Sequence, residues 1–577
     1  MGRRLSLSLL LRSGQGQAPT AWQKLRTQPF GKWWVPRAST LLPHQQPSRN
    51  VRSYSVHSSE EEKELQRREE KREKKRQRHQ KSARSEQTGA AESANTKTKS
   101  TTALSLPKNH NHNRKPAKDL SYSSDKPVMV YSDERGQVVD YPFMQMAGMV
   151  AGREGMQFQQ VEEWIPLPEG SQLFTLQGRA PIGYNPHTSE FEILDRDPSQ
   201  PRDTPRRKRT WPPEAVAAFV APAYTHTHLS AYESLPGSPI LPLYAYTAVG
   251  LHRGKFVVAA TRTDADERQD AKHFDDEVVA SKAEAKAKSM KDNRLVWHLA
   301  RCALEYNCAC SKNYFLGRWE APIPVSSECN ARCVGCISLQ DEGDQTQFPS
   351  SQERIDFTPT PEEIAEIAIE HLSKAPGAVV SFGQGCEGEP LLQAMLIADA
   401  ITRIRKATSR GTININTNGM LPRRLALLRD AGLDSARISL NSVRPRFYNA
   451  YYRPTGGTES ALDKIKESLI VMKEKGGHTA INYLVMAGFT DEMEEFEELC
   501  RFIEETKVDL IQWRNLNIDP EYYLQKLDYN SQAPSSIAFS EKLGMRRLLA
   551  ELKQRFPHLS YGYFNPCLDN KATKFAF

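Results

Sequence analysis

The stretch "SSECNARCVGCISLQ", Ser326–Gln340, holds three cysteines in a C-x3-C-x2-C spacing: Cys329, Cys333 and Cys336. Three thiolates can hold three irons of a four-iron, four-sulfur cluster and leave the fourth iron without a protein ligand. An open coordination position is typical of a catalytic metal centre. Structural zinc normally has four ligands, and this stretch contains no histidine. The spacing therefore favours a catalytic iron–sulfur centre.

From Pro322 onward, short apolar runs alternate with amphipathic helical periods. Thr360-Pro361-Glu362-Glu363 is a capping box, and Gly432 stands where the helix after Pro422 should end. Six successive βα units indicate a parallel sheet with right-handed crossovers. The predicted fold is α/β, a partial (β/α)6 barrel, with strands near 322–327, 378–382, 412–416, 435–440, 479–485 and 509–513.

Polar or glycine-rich clusters follow the first four predicted strands. The cysteines follow the first strand, Gly385–Pro390 the second, Asn416–Gly419 the third and Ser439–Ser442 the fourth. The carboxyl ends of parallel strands meet at one edge of a barrel, where its chemistry gathers. These clusters are therefore expected to form one site.

The ordered motifs resemble the radical S-adenosylmethionine (radical SAM) superfamily over about residues 321–515. The resemblance implies two cofactors, a [4Fe-4S] cluster on the three cysteines and S-adenosylmethionine on the open iron. It also implies reductive cleavage of S-adenosylmethionine to a 5′-deoxyadenosyl radical that takes hydrogen from a substrate. A ferredoxin or flavodoxin-type protein would supply the electron.

The resemblance also assigns site residues by position. Gly388 and Glu389 stand where the superfamily grips the methionine amino group, which suits a carboxylate. Asn416, Ser439 and Asn441 are candidates for the methionine and ribose contacts.

Two positions depart from the superfamily pattern. The family's Gly-Gly-Glu-Pro form is Glu387-Gly388-Glu389-Pro390 here. Gly335 stands where the family usually has an aromatic residue beside the adenine, and Val334 or Ile337 would have to compensate.

Four further cysteines lie near the motifs. Cys302 falls on the apolar face of a helix predicted over 292–306, which favours a buried thiol. Cys386 precedes Glu389 by three residues. It could be a small buried filler, a catalytic hydrogen donor to a substrate radical, a methyl acceptor, or a ligand of a second iron–sulfur cluster with Cys308 and Cys310.

The amino terminus has the composition of a targeting segment. Residues 1–59 contain nine Arg or Lys and no acid, which predicts a mitochondrial transit peptide cut after Tyr54, with a plastid as the alternative. Gly2 and Ser6 also fit a loose myristoylation pattern. Residues 60–125 read as a charged, disordered linker.

Composition then divides the rest of the chain. No run of about 18 apolar residues occurs, so no membrane span is predicted. The sequence "LPLYAYTAVGLHRGKFVVAATRT" predicts a hairpin through Gly254. The predicted parts are a β-rich accessory module (126–300), a cysteine-containing connector (301–320), the radical SAM core (321–530) and a helical tail (531–577).

Charge bears on the substrate class. Residues 1–120 carry 26 Lys and Arg against 10 Asp and Glu, so the remaining chain has a balance of −8 although the whole chain has +8. An acidic body weighs against RNA, and an added module favours a large substrate. The expected function is a radical SAM enzyme acting on a macromolecule, RNA or protein. The alternatives are small-metabolite chemistry in cofactor biosynthesis and a non-catalytic iron–sulfur carrier or assembly factor.

Overall fold

The computed structural model describes residues 125–196, 212–340, 348–456, 461–529 and 541–569. The predicted targeting segment, its cleavage and myristoylation patterns, and the charged linker up to residue 124 lie outside the described residues. Within the described ranges, no helix combines the length and apolar character needed to cross a membrane.

The amino-terminal module is built from short antiparallel strands, as predicted. Its longest strand is β2, which pairs with β1 and, further along, with β3. The predicted hairpin forms from β12 and β13, with Val249 opposite Val258. The strands of the described module are β1 (Val128–Ser132), β2 (Val138–Gly152), β3 (Gly155–Gln160), β4 (Ile165–Pro166), β5 (Gln172–Leu176), β6 (Arg179–Asn185), β7 (Glu190–Ile193), β8 (Glu214–Phe219), β9 (Tyr224–His226), β10 (Leu229–Ser230), β11 (Tyr232–Ser234), β12 (Val249–His252), β13 (Lys255–Val258) and β14 (Ala260–Arg262).

Three helices connect the module to the second sheet: Asp276–Ser289, Arg294–Leu304 and Ala309–Leu316. The Asn293 side chain accepts hydrogen bonds from the first backbone N–H groups of the middle helix, which explains why that helix begins at Arg294. Its buried face includes Leu295, Leu299, Cys302 and Ala303, as the apolar pattern predicts.

The second sheet is parallel throughout, and its strands pair in chain order, which confirms the α/β class. Among the described residues it has seven strands: β15 (Glu320–Pro322), β16 (Val379–Phe382), β17 (Thr412–Thr417), β18 (Ser435–Leu440), β19 (His478–Val485), β20 (Leu510–Asn515) and β21 (Ser560–Gly562). The helices that follow the first of these strands are Pro361–Lys374, Ala394–Ala407, Pro422–Ala431, Pro445–Tyr452, Ala461–Glu474, Met493–Thr506, Pro520–Lys526 and Met545–Arg555.

The predicted helix boundaries have the expected caps. Thr360 and Glu363 form the reciprocal capping box at the start of Pro361–Lys374. Gly432 ends Pro422–Ala431 with φ of 116°, a backbone conformation that side chains disfavour.

The parallel sheet is apolar toward the helices and polar on its inner face. On β17, Ile413 and Ile415 join the core formed with the flanking helices. Asn414, between them, points the other way and donates to Ser381 Oγ at 3.4 Å. The inner face therefore offers hydrogen-bonding groups to a ligand.

Two details differ from the predicted barrel. The first strand ends at Pro322, not near residue 327, because Pro322 and Pro324 lack the N–H groups that a ladder needs. The segment predicted as a helical tail contains Met545–Arg555 but also β21, which pairs with β20. Three residues are too few to show an alternating pattern.

The module packs against the carboxyl ends of β19 and β20. Asn515, the last residue of β20, accepts from the His226 N–H at 2.9 Å. The Ala151 N–H donates to the Ala487 carbonyl beyond β19 at 2.7 Å. Arg179 Nη2 and Asp519 Oδ2, both buried, are 2.9 Å apart. The module thus covers part of the edge where barrel chemistry takes place.

Candidate functional site

The cysteine loop, Ser326–Gln340, lies at the carboxyl end of β15 and is held by the helix Pro445–Tyr452. The Arg332 N–H donates to the Tyr452 carbonyl at 3.0 Å, and the Val334 N–H to the Tyr451 carbonyl at 2.9 Å. These bonds fix the backbone on both sides of Cys333. A loop held in this way can present its thiols without further folding.

The three thiols of this loop are partly buried. Burial raises the pKa of Cys329 to about 11, and the nearby Glu389 adds to the shift. Burial, then Cys336 and Cys329, raises the pKa of Cys333 well above its usual range. Thiolates brought together here need a cation, so the donor set fits the cationic irons of a cluster.

Arg354 is a cation beside this loop that sequence reasoning missed. Its Nη2 donates to Cys336 Sγ at 3.6 Å and its Nη1 to the Ser327 carbonyl at 3.2 Å. No local motif marks it, because it reaches the loop only through the fold. It therefore places a positive charge in contact with the cysteine loop.

Glu387 joins the cysteine loop to the loop after β16, a role that the sequence, where it only departs from the family motif, did not reveal. One carboxylate oxygen accepts from Val325 N at 2.8 Å and Ser326 N at 3.2 Å. The other accepts from Gly383 N and from Gln384 N at 3.0 Å. Burial raises the pKa of Glu387 to about 8, while these four N–H groups oppose the shift. Glu387 therefore holds the cysteine loop and the loop after β16 together through these hydrogen bonds.

Gly388 sits where the same two loops touch. Its N–H donates to the Ser326 carbonyl at 2.7 Å. A Cβ at this position would lie 2.0 Å from the Glu328 carbonyl oxygen, a clash that only glycine avoids. Gly388 was predicted to lie at the contact with the methionine amino group of S-adenosylmethionine. The close approach of the two loops also requires a glycine there.

Glu389 is buried and links the loop after β16 to the end of β17. Its Oε1 accepts from the Thr417 hydroxyl and from Leu391 N at 3.0 Å, and its Oε2 from Asn418 N at 2.9 Å. Burial raises its pKa, and these bonds oppose the shift. A carboxylate has about four lone-pair sites, so it can still accept from an ammonium group.

The three remaining predicted contacts lie on or beside the inner face. Among the described residues, Asn416 Nδ2 and Asn441 Oδ1 are buried without a hydrogen-bond partner. Ser439, half-buried, pairs in register with Asn482 of β19. Buried polar groups are normally satisfied, so these two unpaired atoms fit a polar ligand. The residues present therefore fit S-adenosylmethionine.

Two arginines project from β18 and β20 on the same face. Arg437 Nη1 donates to Gln512 Oε1 at 2.8 Å, and Arg514 stacks on Tyr563 with 3.8 Å to the ring centroid. Burial, then the charge of Arg514, lowers the pKa of Arg437 to about 9. Within the described ranges neither arginine forms an ion pair, and the carboxylate whose charge acts on Arg437 is that of the buried Glu320. Two guanidinium groups without a direct counter-ion form a potential anion site.

Comparison with known proteins now bears on these residues. Residues 323–503 match the family model described as the radical SAM superfamily. These residues form a radical SAM domain. The match includes the cysteine loop, the loop after β16, and strands β16–β19.

Curated relatives of the radical SAM domain include a GTP 3′,8-cyclase of Aquifex aeolicus, 30% identical over 189 residues, which are 33% of this chain and 53% of the relative. The mitochondrial GTP 3′,8-cyclase of Arabidopsis thaliana is 27% identical over 204 residues, 34% of this chain and 45% of the relative. Molybdenum cofactor biosynthesis protein 1 of Bos taurus is 25% identical over 41% of this chain and 32% of the relative. The chain spans about half the length of the first two relatives.

Solved structures give weaker likenesses. HydG, a maturase of the [FeFe]-hydrogenase, has a TM-score of 0.29 at 17% identity, over 50% of this chain and 63% of that chain. Methylornithine synthase has a TM-score of 0.28 at 15% identity, over 44% and 68%. Scores this low do not establish a common overall fold.

Tyr451 occupies space beside the atypical glycine of the radical SAM domain. A Cβ on Gly335 would lie 2.7 Å from the Tyr451 hydroxyl oxygen. An aromatic side chain from the helix Pro445–Tyr452 therefore lies beside that position.

The remaining predicted cysteines lie around the connector. Cys386 is buried with its thiol near Cys302 and His298 of the helix Arg294–Leu304. Cys310 Sγ donates to Glu320 Oε2 at 3.0 Å. Cys386 thus lies beside His298 and Cys302, and the roles considered for it from the sequence stay predictions.

Proposed function

We propose that this chain is a radical SAM enzyme acting on a small anionic metabolite of the nucleoside phosphate class. The observation that carries the proposal is the pair Arg437 and Arg514 on the inner face of the barrel. Guanidinium groups bind phosphate through paired N–H donors, and a low-dielectric site strengthens that contact. The relatives named GTP 3′,8-cyclase support the same substrate class.

The covered edge of the barrel also supports a small substrate. The module contacts the ends of β19 and β20 through His226 and Ala151. A macromolecule, the first expectation from sequence, would need that edge open. The small-metabolite alternative is therefore the better supported one.

Each part of the site has a role in this proposal. When bound, the cluster and S-adenosylmethionine supply a carbon radical that takes hydrogen from the substrate. Cys329, Cys333 and Cys336 hold the cluster, and Glu389 with Gly388 receives the methionine amino group. Asn416, Ser439 and Asn441 contact the rest of that cofactor. Arg437 and Arg514 place the substrate phosphates, and a ferredoxin or flavodoxin-type protein delivers the electron.

The test uses full-length protein reconstituted without oxygen and reduced with dithionite. 5′-Deoxyadenosine formation is measured with S-adenosylmethionine alone and with GTP, ATP or GDP. We expect at least one nucleotide to stimulate it and to be converted. Arg437→Gln should raise the KM for that nucleotide about tenfold to a hundredfold, the worth of a charged hydrogen bond. Arg403→Gln, an exposed ion-pair residue on an outer helix, is the matched control.

Two results would overturn the proposal. If an RNA or protein fraction stimulated 5′-deoxyadenosine formation and no nucleotide did, the substrate would be a macromolecule. Full iron content with no 5′-deoxyadenosine under any reductant would favour the non-catalytic carrier.

The relative in Arabidopsis thaliana carries "mitochondrial" in its name, which agrees with the predicted transit peptide. We propose a mitochondrial location on that basis and on the acid-free start of the chain. A fluorescent reporter fused to residues 1–59 should enter mitochondria, and retention on membranes with uptake of myristate would contradict this.

A further inference from the structure

A second group of metal-ligating side chains lies between the connector and the loop after β16. His298 and Cys302 are one helical turn apart on Arg294–Leu304, so they share a face. Cys386 reaches them from the other loop, and the ligand atoms of all three lie within 4.8 Å of one another. Cys302 and Cys386 are 1% and 3% exposed. Buried thiols around an imidazole are the usual ligands of zinc.

We propose that His298, Cys302, Cys386 and Cys308 bind one zinc ion. Zinc–sulfur bonds of about 2.3 Å and zinc–nitrogen bonds of about 2.0 Å at a tetrahedral angle put the two donors roughly 3.5 Å apart. His298 Nε2 and Cys302 Sγ are 3.5 Å apart. Thiolates that bind different irons of a cluster stand further apart than donors to one ion. The distances therefore favour a single ion over a second iron–sulfur cluster.

Cys308 is the fourth ligand that the chain offers. Its N–H donates to the Cys302 carbonyl at 3.0 Å, which ties its backbone to the end of the helix that carries His298 and Cys302. It precedes the helix Ala309–Leu316, and its side chain makes no capping bond there. Cys310 is a poorer candidate, because its thiol donates to Glu320. Four protein ligands, three thiolates and one imidazole, make a closed structural site.

The ion would tie the connector to the loop that carries Glu387, Gly388 and Glu389. At the near end of that loop the Ile355 N–H donates to the Cys386 carbonyl at 2.8 Å, and the ion would add a second tie there. His298, Cys302, Cys308 and Cys386 are therefore positioning residues for the radical SAM site, not groups that touch substrate.

The test separates this site from the cysteine loop. Full-length protein with Cys329, Cys333 and Cys336 all changed to Ala is expressed with added zinc, and its zinc, iron and sulfide are measured. We expect about one zinc per chain and no iron or sulfide. Adding Cys302→Ser and Cys386→Ser should bring zinc close to zero. Adding Cys500→Ser, a buried thiol on the helix Met493–Thr506, should leave the zinc unchanged.

Cobalt gives a readout independent of any loss of folding in the variants. Co²⁺ titrated into the metal-free triple variant should give thiolate-to-cobalt absorption and the visible bands of a tetrahedral ion, saturating at about one per chain. His298→Ala should weaken the visible bands.

Three outcomes would overturn the proposal. They are iron and sulfide retained by the triple variant, a Cys302–Cys386 disulfide in place of metal, or equal zinc loss in the Cys500→Ser control. None of them bears on nucleotide-stimulated cleavage of S-adenosylmethionine, so the two proposals can fail separately.

Discussion

The cysteine loop and the proposed zinc pocket differ in how the chain assembles their ligands. Cys329, Cys333 and Cys336 come from one loop of partly buried thiols. In the pocket, Cys302 and Cys386 are 84 residues apart in sequence and buried together. A ligand set from one loop leaves a spacing in the sequence, whereas a set from several elements becomes visible only after folding.

The difference has a chemical consequence. The loop offers three thiols, which leaves a position for S-adenosylmethionine, whereas the pocket brings three donors within 4.8 Å of one another, to which the zinc proposal adds Cys308. We therefore expect an open catalytic centre in the first region and a closed structural one in the second. The predictions below test this contrast.

The largest expected effect follows from Cys333→Ala. Loss of one of three thiolate ligands should reduce bound iron from about four per chain to a small fraction of that amount. It should also abolish 5′-deoxyadenosine formation. Zinc should remain at about one per chain, because Cys333 is not in the pocket. Metal analysis and product chromatography check this. Loss of both metals together would show that the two regions are one centre.

A smaller effect is expected at Gly388, where the cysteine loop contacts the loop after β16. Gly388→Ala places a Cβ 2.0 Å from a backbone oxygen, so the loops must separate. Forced overpacking costs about 1–3 kcal/mol, which predicts a roughly fivefold to hundredfold loss of S-adenosylmethionine affinity.

The matched control for this change is Gly456→Ala, where an added Cβ meets nothing within 4 Å. Equal binding of S-adenosylmethionine by both variants, measured by calorimetry, would mean that Gly388 does not shape the cofactor site.

The smallest effect concerns the reactivity of metal-free protein. Because burial raises the pKa of Cys329 to about 11, only about one thiol in a thousand is ionised at pH 8. Its alkylation rate should rise about tenfold per pH unit from pH 8 to pH 10, since the thiolate is the reactive form. Cys302 should show no such rise between pH 8 and pH 10, because the hydrogen bond with Cys386 lowers its pKa to about 5 and its thiol is only 1% exposed. Mass spectrometry after timed iodoacetamide exposure gives both rates, and a flat profile for Cys329 would contradict its raised pKa.

Sequence predicted the regular part of this fold well. The capping box at Thr360 and the glycine at Gly432 mark helix ends that the structure has. The three residues of β21 carry no periodic signal and were predicted within a helical tail. Short elements of this kind are set by tertiary pairing, here with β20.

The site was predictable only where its residues are adjacent in sequence. The cysteine motif is local, so its spacing was sufficient. Glu387, Arg354 and Arg437 were missed because their roles depend on which loop or strand each side chain meets. Strand register decides that Arg437 faces inward, and no single strand reveals the register.

The most direct test of the contrast is the metal and sulfide content of anaerobically reconstituted full-length protein, beside its Cys386→Ser variant. We predict about four irons, four sulfides and one zinc per chain, with the variant losing zinc and keeping its iron. About eight irons and no zinc, with half of the iron lost in the variant, would contradict the account by showing two iron–sulfur clusters.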